Sequence, residues 1–311
     1  MGLRPDGPRS MGEIARVGLT LVSQPGEPLQ RCCYRAQMAL KHAVYDALNR
    51  PQTRWLLGLA ASAGKTLRGQ RTVITYDRQT GDWLTRTRAG AMLMSDLKGG
   101  EGMDAGQCDA FARDVFLRDY SIRPGDVVLD VGAGIGTEAL PFSKMVGESG
   151  RVIAVEAHPT TYAKLERVCQ VNNLRNVEPI HAAVMDSDEP VMISDLQAES
   201  YLENKIGAQG VPVPAITIPD LMAKLHVERI DFLKMNIEGA EVPALRGAKD
   251  VLPLVGHAAI GCHDFLADET GDESYRTKEQ VRAMLVDAGF TVTSRDDDPR
   301  PWAAGYLFAS R

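Results

Sequence analysis

From Asp126 onward, short apolar runs alternate with longer stretches of helical spacing, the pattern of a parallel sheet covered by crossover helices. The runs that predict strands are Val127 to Gly132, Arg151 to Ala157, Val177 to Val184, Ile230 to Asn236 and His257 to His263. A helix is expected over about Thr277 to Ala288, then strands at Thr291 to Arg295 and near Gly305 to Ser310. Leu196 to Pro214 is polar, carries Gly and Pro, and predicts a loop. Ahead of this α/β core, residues 1 to about 70 predict a helical extension in which Gln30 to Leu48 lacks Pro and Gly and Pro51 interrupts. Val73 to Tyr76 and Trp83 to Thr85 flank the turn-rich Asp77 to Asp82 and predict a β-hairpin. Gly99, Gly100 and Gly102 form a joint before a helical run from about Ala105 to Asp119.

Val127-Val128-Leu129-Asp130-Val131-Gly132-Ala133-Gly134-Ile135-Gly136 is a strand that runs into a glycine turn and a helix. Glycine permits the tight turn and the close approach of a ligand, and the helix N-terminus offers unpaired N–H groups. The arrangement favours a nucleotide or an amino-acid carboxylate. A dinucleotide fingerprint needs glycine at the sixth place of G-x-G-x-x-G, where this chain has Thr137, with its third glycine one position early. A carboxylate at Asp130 would repel a pyrophosphate and attract the ammonium end of a methionine moiety. Glu156, 20 residues after Gly136 at the end of the second strand, is placed to accept both ribose hydroxyls. S-adenosylmethionine is therefore the expected cofactor, with Asp130, Gly132, Ala133, Gly134, Thr137, Glu156 and Ala157 as candidate contacts. A nicotinamide-dependent dehydrogenase is the weaker alternative.

Composition bears on the partners. Apolar residues at 44% and charged residues at 24% are ordinary for a globular protein. A net charge of -6 argues against a surface built to neutralise phosphates, so nucleic acid is not an expected partner. The N-terminus has no sustained apolar segment and no run of about 18 apolar residues follows, so neither export nor membrane insertion is expected and the predicted location is cytoplasmic. Cys32, Cys33, Cys108, Cys169 and Cys262 are odd in number and irregularly spaced, which predicts reduced thiols.

Asp126 to Gly136, Glu156 and above all Asp231-Phe232-Leu233-Lys234-Met235-Asn236-Ile237-Glu238-Gly239-Ala240-Glu241 resemble the FkbM family of S-adenosylmethionine-dependent methyltransferases. The family signature at this strand is D-F-x-K-x-D-x-E-G-x-E, from which the chain departs at Asn236. Ala215 to Leu221 is similar to the family's T-L-D-D-L segment, with Pro219 replacing the first acid. The resemblance implies a Rossmann-like class I methyltransferase fold with a seven-stranded, mostly parallel sheet, and O-methylation of a small natural product or sugar hydroxyl. It also implies that Ala183, in the third strand, borders the adenine. It spans roughly Gly125 to the C-terminus, and the expected division is an extension of helices and hairpin over 1–104 and a methyltransferase domain over 105–311. The extension is expected to close over the site or to form a homodimer surface.

Ligands bind at the C-terminal ends of strands in such sheets, so Asn236, Glu238, His263 and Asp264 are placed to face the methyl. Methyl transfer needs alignment and, for a hydroxyl acceptor, a base. His263 is the expected base because its ordinary pKa of about 6.5 lies near neutrality, with Glu238 as its partner or substitute. Asn236, Glu238 and Asp264 could instead hold a divalent cation, but the loss of the usual Asp at 236 removes the hardest ligand, and no metal is expected. Asn236 is also the one hint of a catalytically silent S-adenosylmethionine-binding or scaffold protein. Ala63-Gly64-Lys65-Thr66 is not expected to be a phosphate loop, since no strand precedes it. His181 is expected to be a hydrogen-bonded core residue, His158 a ribose contact or helix cap, and Asp296 to Asp298 a solvated turn.

Overall fold

The computed structural model describes residues 40–98, 102–194, 206–207 and 209–311. Its contacts divide the chain into one unit of Met1–Thr85 with Met94–Gly102 and another of Arg86–Leu93 with Met103–Arg311. In the first, residues 40–48 are helical and Pro51 separates them from α1 (Arg54–Leu67). This helix lies against β1 (Val73–Tyr76). Gly58 is buried where a Cβ would come within 2.6 Å of the Ile74 carbonyl oxygen, and the Ser62 hydroxyl accepts from the Ile74 N–H at 2.8 Å. Tyr45, Ile74 and Trp83 form a small core, in which the Trp83 indole donates to the Tyr45 hydroxyl at 3.1 Å. Ala63 to Thr66 falls inside α1, so it forms no phosphate loop.

The expected hairpin gains a third strand, since β1, β2 (Trp83–Thr87) and β3 (Gly90–Met94) make one sheet in that order. β3 hides in the sequence because Ala91, Met92 and Leu93 are all buried, which removes the alternation that marks a half-exposed strand. Most of the Gln30 to Leu48 helix, Gly99 and Gly100 of the joint, Cys32 and Cys33 lie outside the described residues.

In the second unit α2 (Ala105–Val115) starts at Asp104, whose carboxylate accepts from the Gly106 and Gln107 N–H groups while Gln107 reaches back, a capping box. Then come β4 (Val127–Val131), α3 (Ala139–Val146), β5 (Arg151–Glu156), α4 (Pro159–Asn172) and β6 (Val177–His181). β7 (Ala183–Val184), β8 (Val191–Ile193), β9 (Ile206–Gly207), β10 (Val211–Val213) and β11 (Ala215–Ile216) lead to α5 (Ile218–Leu225) and β12 (Ile230–Met235). The chain closes with α6 (Glu241–Gly247), β13 (Val255–Gly261), α7 (Asp264–Thr270), α8 (Lys278–Asp287), β14 (Thr291–Ser294), α9 (Pro301–Ala304) and β15 (Tyr306–Ser310).

Seven strands pair in the order β14-β15-β13-β12-β4-β5-β6, and only β15 runs antiparallel to its neighbours. The Rossmann-like expectation holds. The two-residue period of the strands sends Leu129, Val131, Ile153, Val155 and Leu233 to the face covered by α5, α6 and α8. Val128, Val152, Ala154 and Phe232 point to the other, under α2, α3 and α4. Two strands differ from expectation. The third breaks after His181: β6 is an edge strand that tolerates Pro179, and Ala183–Val184 turns away to pair in parallel with β11. The fifth begins at Val255 and stops at Gly261, which leaves His263 beyond it as the residue preceding α7. The described part of the expected loop at Leu196 to Pro214 is not irregular, since β9 and β10 flank β8 antiparallel.

Cys108, Cys169 and Cys262 are buried free thiols, with burial pushing the first two up to about 12. Among the described residues no helix is long and apolar enough to cross a membrane.

Candidate active site

Because β4, β5, β12 and β13 are parallel, their C-terminal ends gather at one edge of the sheet. Gly132 has φ 76°, and a Cβ there would lie 2.1 Å from the Asn236 carbonyl oxygen, so only glycine lets the chain leave β4 beneath the end of β12. The Gly132 and Ala133 N–H groups donate to the Val155 carbonyl at 2.9 and 3.0 Å, which pins the turn to β5. Gly134, at φ 55°, has no atom within 4 Å of where a Cβ would be, so the turn is open at that point.

Glu156 closes the turn from below. Its carboxylate accepts from the Gly134 N–H at 2.9 Å and the His158 N–H at 2.8 Å, and burial raises its pKa despite those donors. Each oxygen keeps a further lone pair for a hydroxyl. Asp130 is wholly buried, and the Lys234 ammonium pairs with its Oδ1 at 2.9 Å. Asp130 is thus not a bare charge waiting for an ammonium ligand, although its Oδ2 has no hydrogen-bond partner among the described residues. Lys234 also donates to the Gly132 carbonyl at 2.6 Å and lies 3.9 Å from Glu138, which accepts from the Thr137 hydroxyl at 2.7 Å. Burial alone would lower the Lys234 pKa, but Asp130 and Glu138 raise it; burial raises that of Glu138. The ammonium therefore ties the glycine turn to β4 from inside the sheet.

Ala157 carries the carbonyl that meets His181 Nε2 at 3.0 Å, and His181 is half-buried and stacked on Tyr162 rather than in the core. Ala183 is buried, and its N–H donates to the Pro214 carbonyl at 2.8 Å. His158 precedes α4 without a side-chain cap.

A second cluster lies where β12 and β13 end. Glu238 is at φ 52°, the left-handed region that a non-glycine residue enters at a cost, and the strain aims its carboxylate at His263. His263 is held from both sides, Nε2 at 3.3 Å from Glu238 and Nδ1 at 3.2 Å from Glu241. Glu241 is fully buried and also accepts from the Thr277 hydroxyl at 3.0 Å and the Gly239 N–H at 3.1 Å. Burial would lower the imidazole, but the two glutamates outweigh it and push its pKa from 6.5 up to about 10. The expectation that His263 titrates near neutrality is corrected on this ground: the carboxylates on both sides favour the imidazolium, each of whose nitrogens faces an acceptor, over a neutral ring with a lone pair free for a proton. Asp264 accepts from the Thr277 and Lys278 N–H groups, both at 3.1 Å, and so caps α8. Asn236 Oδ1 accepts from the Tyr306 hydroxyl at 3.0 Å. Asp296 and Asp298 are paired with Lys278 and Arg300 rather than simply solvated.

The geometry thus joins Gly132, Ala133, Gly134, Asp130 and Glu156 around one turn, and Asn236, Glu238 and His263 around the adjacent strand ends. Lys234 enters the sequence reading only as part of the family signature, and Glu138 not at all; the fold gives both a role. A lysine inside an apolar strand was the available signal, because only a buried counter-charge makes that position tolerable.

The profile described as "Methyltransferase FkbM domain" matches residues 130–291. The chain belongs to this family. Membership makes S-adenosylmethionine the cofactor and methyl transfer the reaction. The buried Asp130 oxygen, the open turn at Gly134 and the Glu156 carboxylate suit such a ligand. The 31-O-demethyl-FK506 methyltransferase FkbM of Streptomyces tacrolimicus is 26% identical over 238 residues, covering 63% of this chain and 86% of that one. A protein-L-isoaspartate O-methyltransferase of Methanococcus maripaludis is 36% identical over 66 residues, 21% of this chain; the match spans only 31% of that relative's length. The crystal structure of Methyltransferase FkbM from Methylobacillus flagellatus KT aligns at 16% identity with a TM-score of 0.42, covering 60% of this chain and 44% of that one.

Proposed function

We propose that this family member is an O-methyltransferase that moves a methyl group onto a hydroxyl of a small natural product or a sugar, within a methyltransferase domain over 105–311. The observation that carries the reading is Glu238, a strained carboxylate at the end of β12, partly exposed and backed by the His263 imidazolium. S-adenosylmethionine, when bound, supplies the sulfonium methyl. Asp130 and the Gly132 to Thr137 turn hold its amino-acid end, Glu156 holds the ribose, and Ala157 and Ala183 border the adenine. Glu238 accepts the hydroxyl hydrogen of the acceptor. A carboxylate suffices for this, because the hydroxyl grows acidic as its oxygen gains the methyl. His263, with Nε2 3.3 Å from its carboxylate, keeps Glu238 pointed at the acceptor, and Asn236, fixed by Tyr306, lines the same edge. The Tyr306 hydroxyl needs only an acceptor from position 236, which an amide supplies as well as a carboxylate, so Asn236 gives no support to a silent protein.

Calorimetry should show S-adenosylmethionine and S-adenosylhomocysteine binding and no heat from NAD. Glu156→Ala should weaken the sulfur ligands by about 1.5–3 kcal/mol, the worth of hydrogen bonds to a charged group. Unchanged affinity would move the ribose partner elsewhere. With a panel of hydroxylated acceptors and methyl-labelled cofactor, fragmentation mass spectrometry should place the label on oxygen. Label found only on nitrogen or carbon would overturn the O-methyl reading.

A further inference from the structure

α1 presents an apolar stripe on the side turned away from β1. Trp55, Leu56, Leu59, Ala60, Ala63 and Leu67 are all exposed, and at about 100° per residue they fall within about 140° of arc. Trp55 is 62%, Leu59 61% and Leu67 88% exposed. The flank beyond Trp55 is already engaged by the Gly58 and Ser62 contacts with Ile74, and the side opposite the stripe by the Arg54 guanidinium, 3.8 Å from the Tyr76 ring centre. The stripe is therefore not the face that holds the helix in its unit. An apolar cleft of about 360 Å³, lined in part by Leu40, Val44, Leu57 and Ala61, continues it.

The charge around this stripe runs against that of the whole protein. Residues 47–76 carry Arg50, Arg54, Lys65, Arg68 and Arg71 and no acid, in a chain whose net charge is -6. Arg50 lies before the helix and Arg68 and Arg71 after it; all three are exposed, and none enters an ion pair among the described residues. Fourteen residues make a helix about 21 Å long, too short to span a bilayer but suited to lie along one. Tryptophan and leucine on one face with arginines at both ends is the chemistry of an interfacial helix. Stacking on bases would not use the leucines.

We propose that α1 docks this protein on an anionic lipid bilayer, with Trp55, Leu59 and Leu67 entering the boundary of the acyl chains and Arg50, Arg68 and Arg71 meeting lipid phosphates. The proposal does not depend on which acceptor is methylated. The full chain should sediment with vesicles containing phosphatidylglycerol, at least about tenfold more tightly than with phosphatidylcholine alone, and salt should weaken the binding. The double variant Trp55→Ala, Leu59→Ser should lose at least about tenfold in affinity. Removing Arg68 and Arg71 as glutamines should cost about fivefold each, the effect of one cation near the surface. All four residues are exposed, so S-adenosylmethionine binding and melting temperature should be unchanged in both variants, and that control keeps misfolding apart from lost docking. The proposal is overturned if the wild type ignores phosphatidylglycerol vesicles, or binds them and the variants bind equally. It is also overturned if light scattering shows a dimer that Leu59→Ser dissolves while vesicles are not bound, since a second copy would then be the occupant.

Discussion

Glu238→Gln is expected to lower turnover about 100- to 10,000-fold, the contribution of a positioned proton acceptor, while S-adenosylmethionine binds with its former affinity. The substitution removes the carboxylate and nothing else of size, and the His263–Glu241 pair that supports the strand ends stays in place. Turnover under saturating cofactor and a calorimetric dissociation constant separate the two effects. A folded variant with turnover near the wild-type level would show that the proton goes elsewhere. The same cluster sets a pH dependence. With the folded pKa of His263 raised from 6.5 to about 10, its contribution to stability is fully present below about 6.5 and is lost as the pH rises through about 10. Turnover should therefore show no ionisation of His263 near neutrality. Melting temperature should fall on the alkaline side in the wild type and much less so in His263→Gln.

Lys234→Met should cost about 3–5 kcal/mol of folding stability, the usual result of removing one partner from a buried ion pair. Methionine nearly fills the space, but Asp130, with no solvent exposure, and Glu138 would be left without the cation that offsets their burial. The Gly132 carbonyl would lose its donor too, so the weakened turn should also bind S-adenosylmethionine less well. Urea unfolding at neutral pH gives the first quantity and calorimetry the second. Adding Asp130→Asn to Lys234→Met should recover part of the lost stability, because an amide is cheaper to bury than an unpaired carboxylate. A single variant as stable as wild type would show that the pair does not hold this part of the sheet.

The sequence by itself determined the alternation of strands and helices, the glycine turn after β4, the signature along β12 and hence the family and cofactor. These are local properties: a two-residue or 3.6-residue burial period and a turn that only glycine can make are written in consecutive residues. Glu156 was legible for the same reason, since its distance from the turn follows from the length of one helix and one strand. What only the tertiary structure decided depends on partners far apart in the chain. Lys234 is explained by Asp130, its neighbour in register on β4, and no local pattern states which residues two strands place side by side. The ordinary pKa of His263 points to a base, but Glu238 and Glu241 clamp it after folding, and their field outweighs burial. Even its position shifted, because β13 ends at Gly261 and leaves His263 at the start of α7, where it can reach back between the two glutamates.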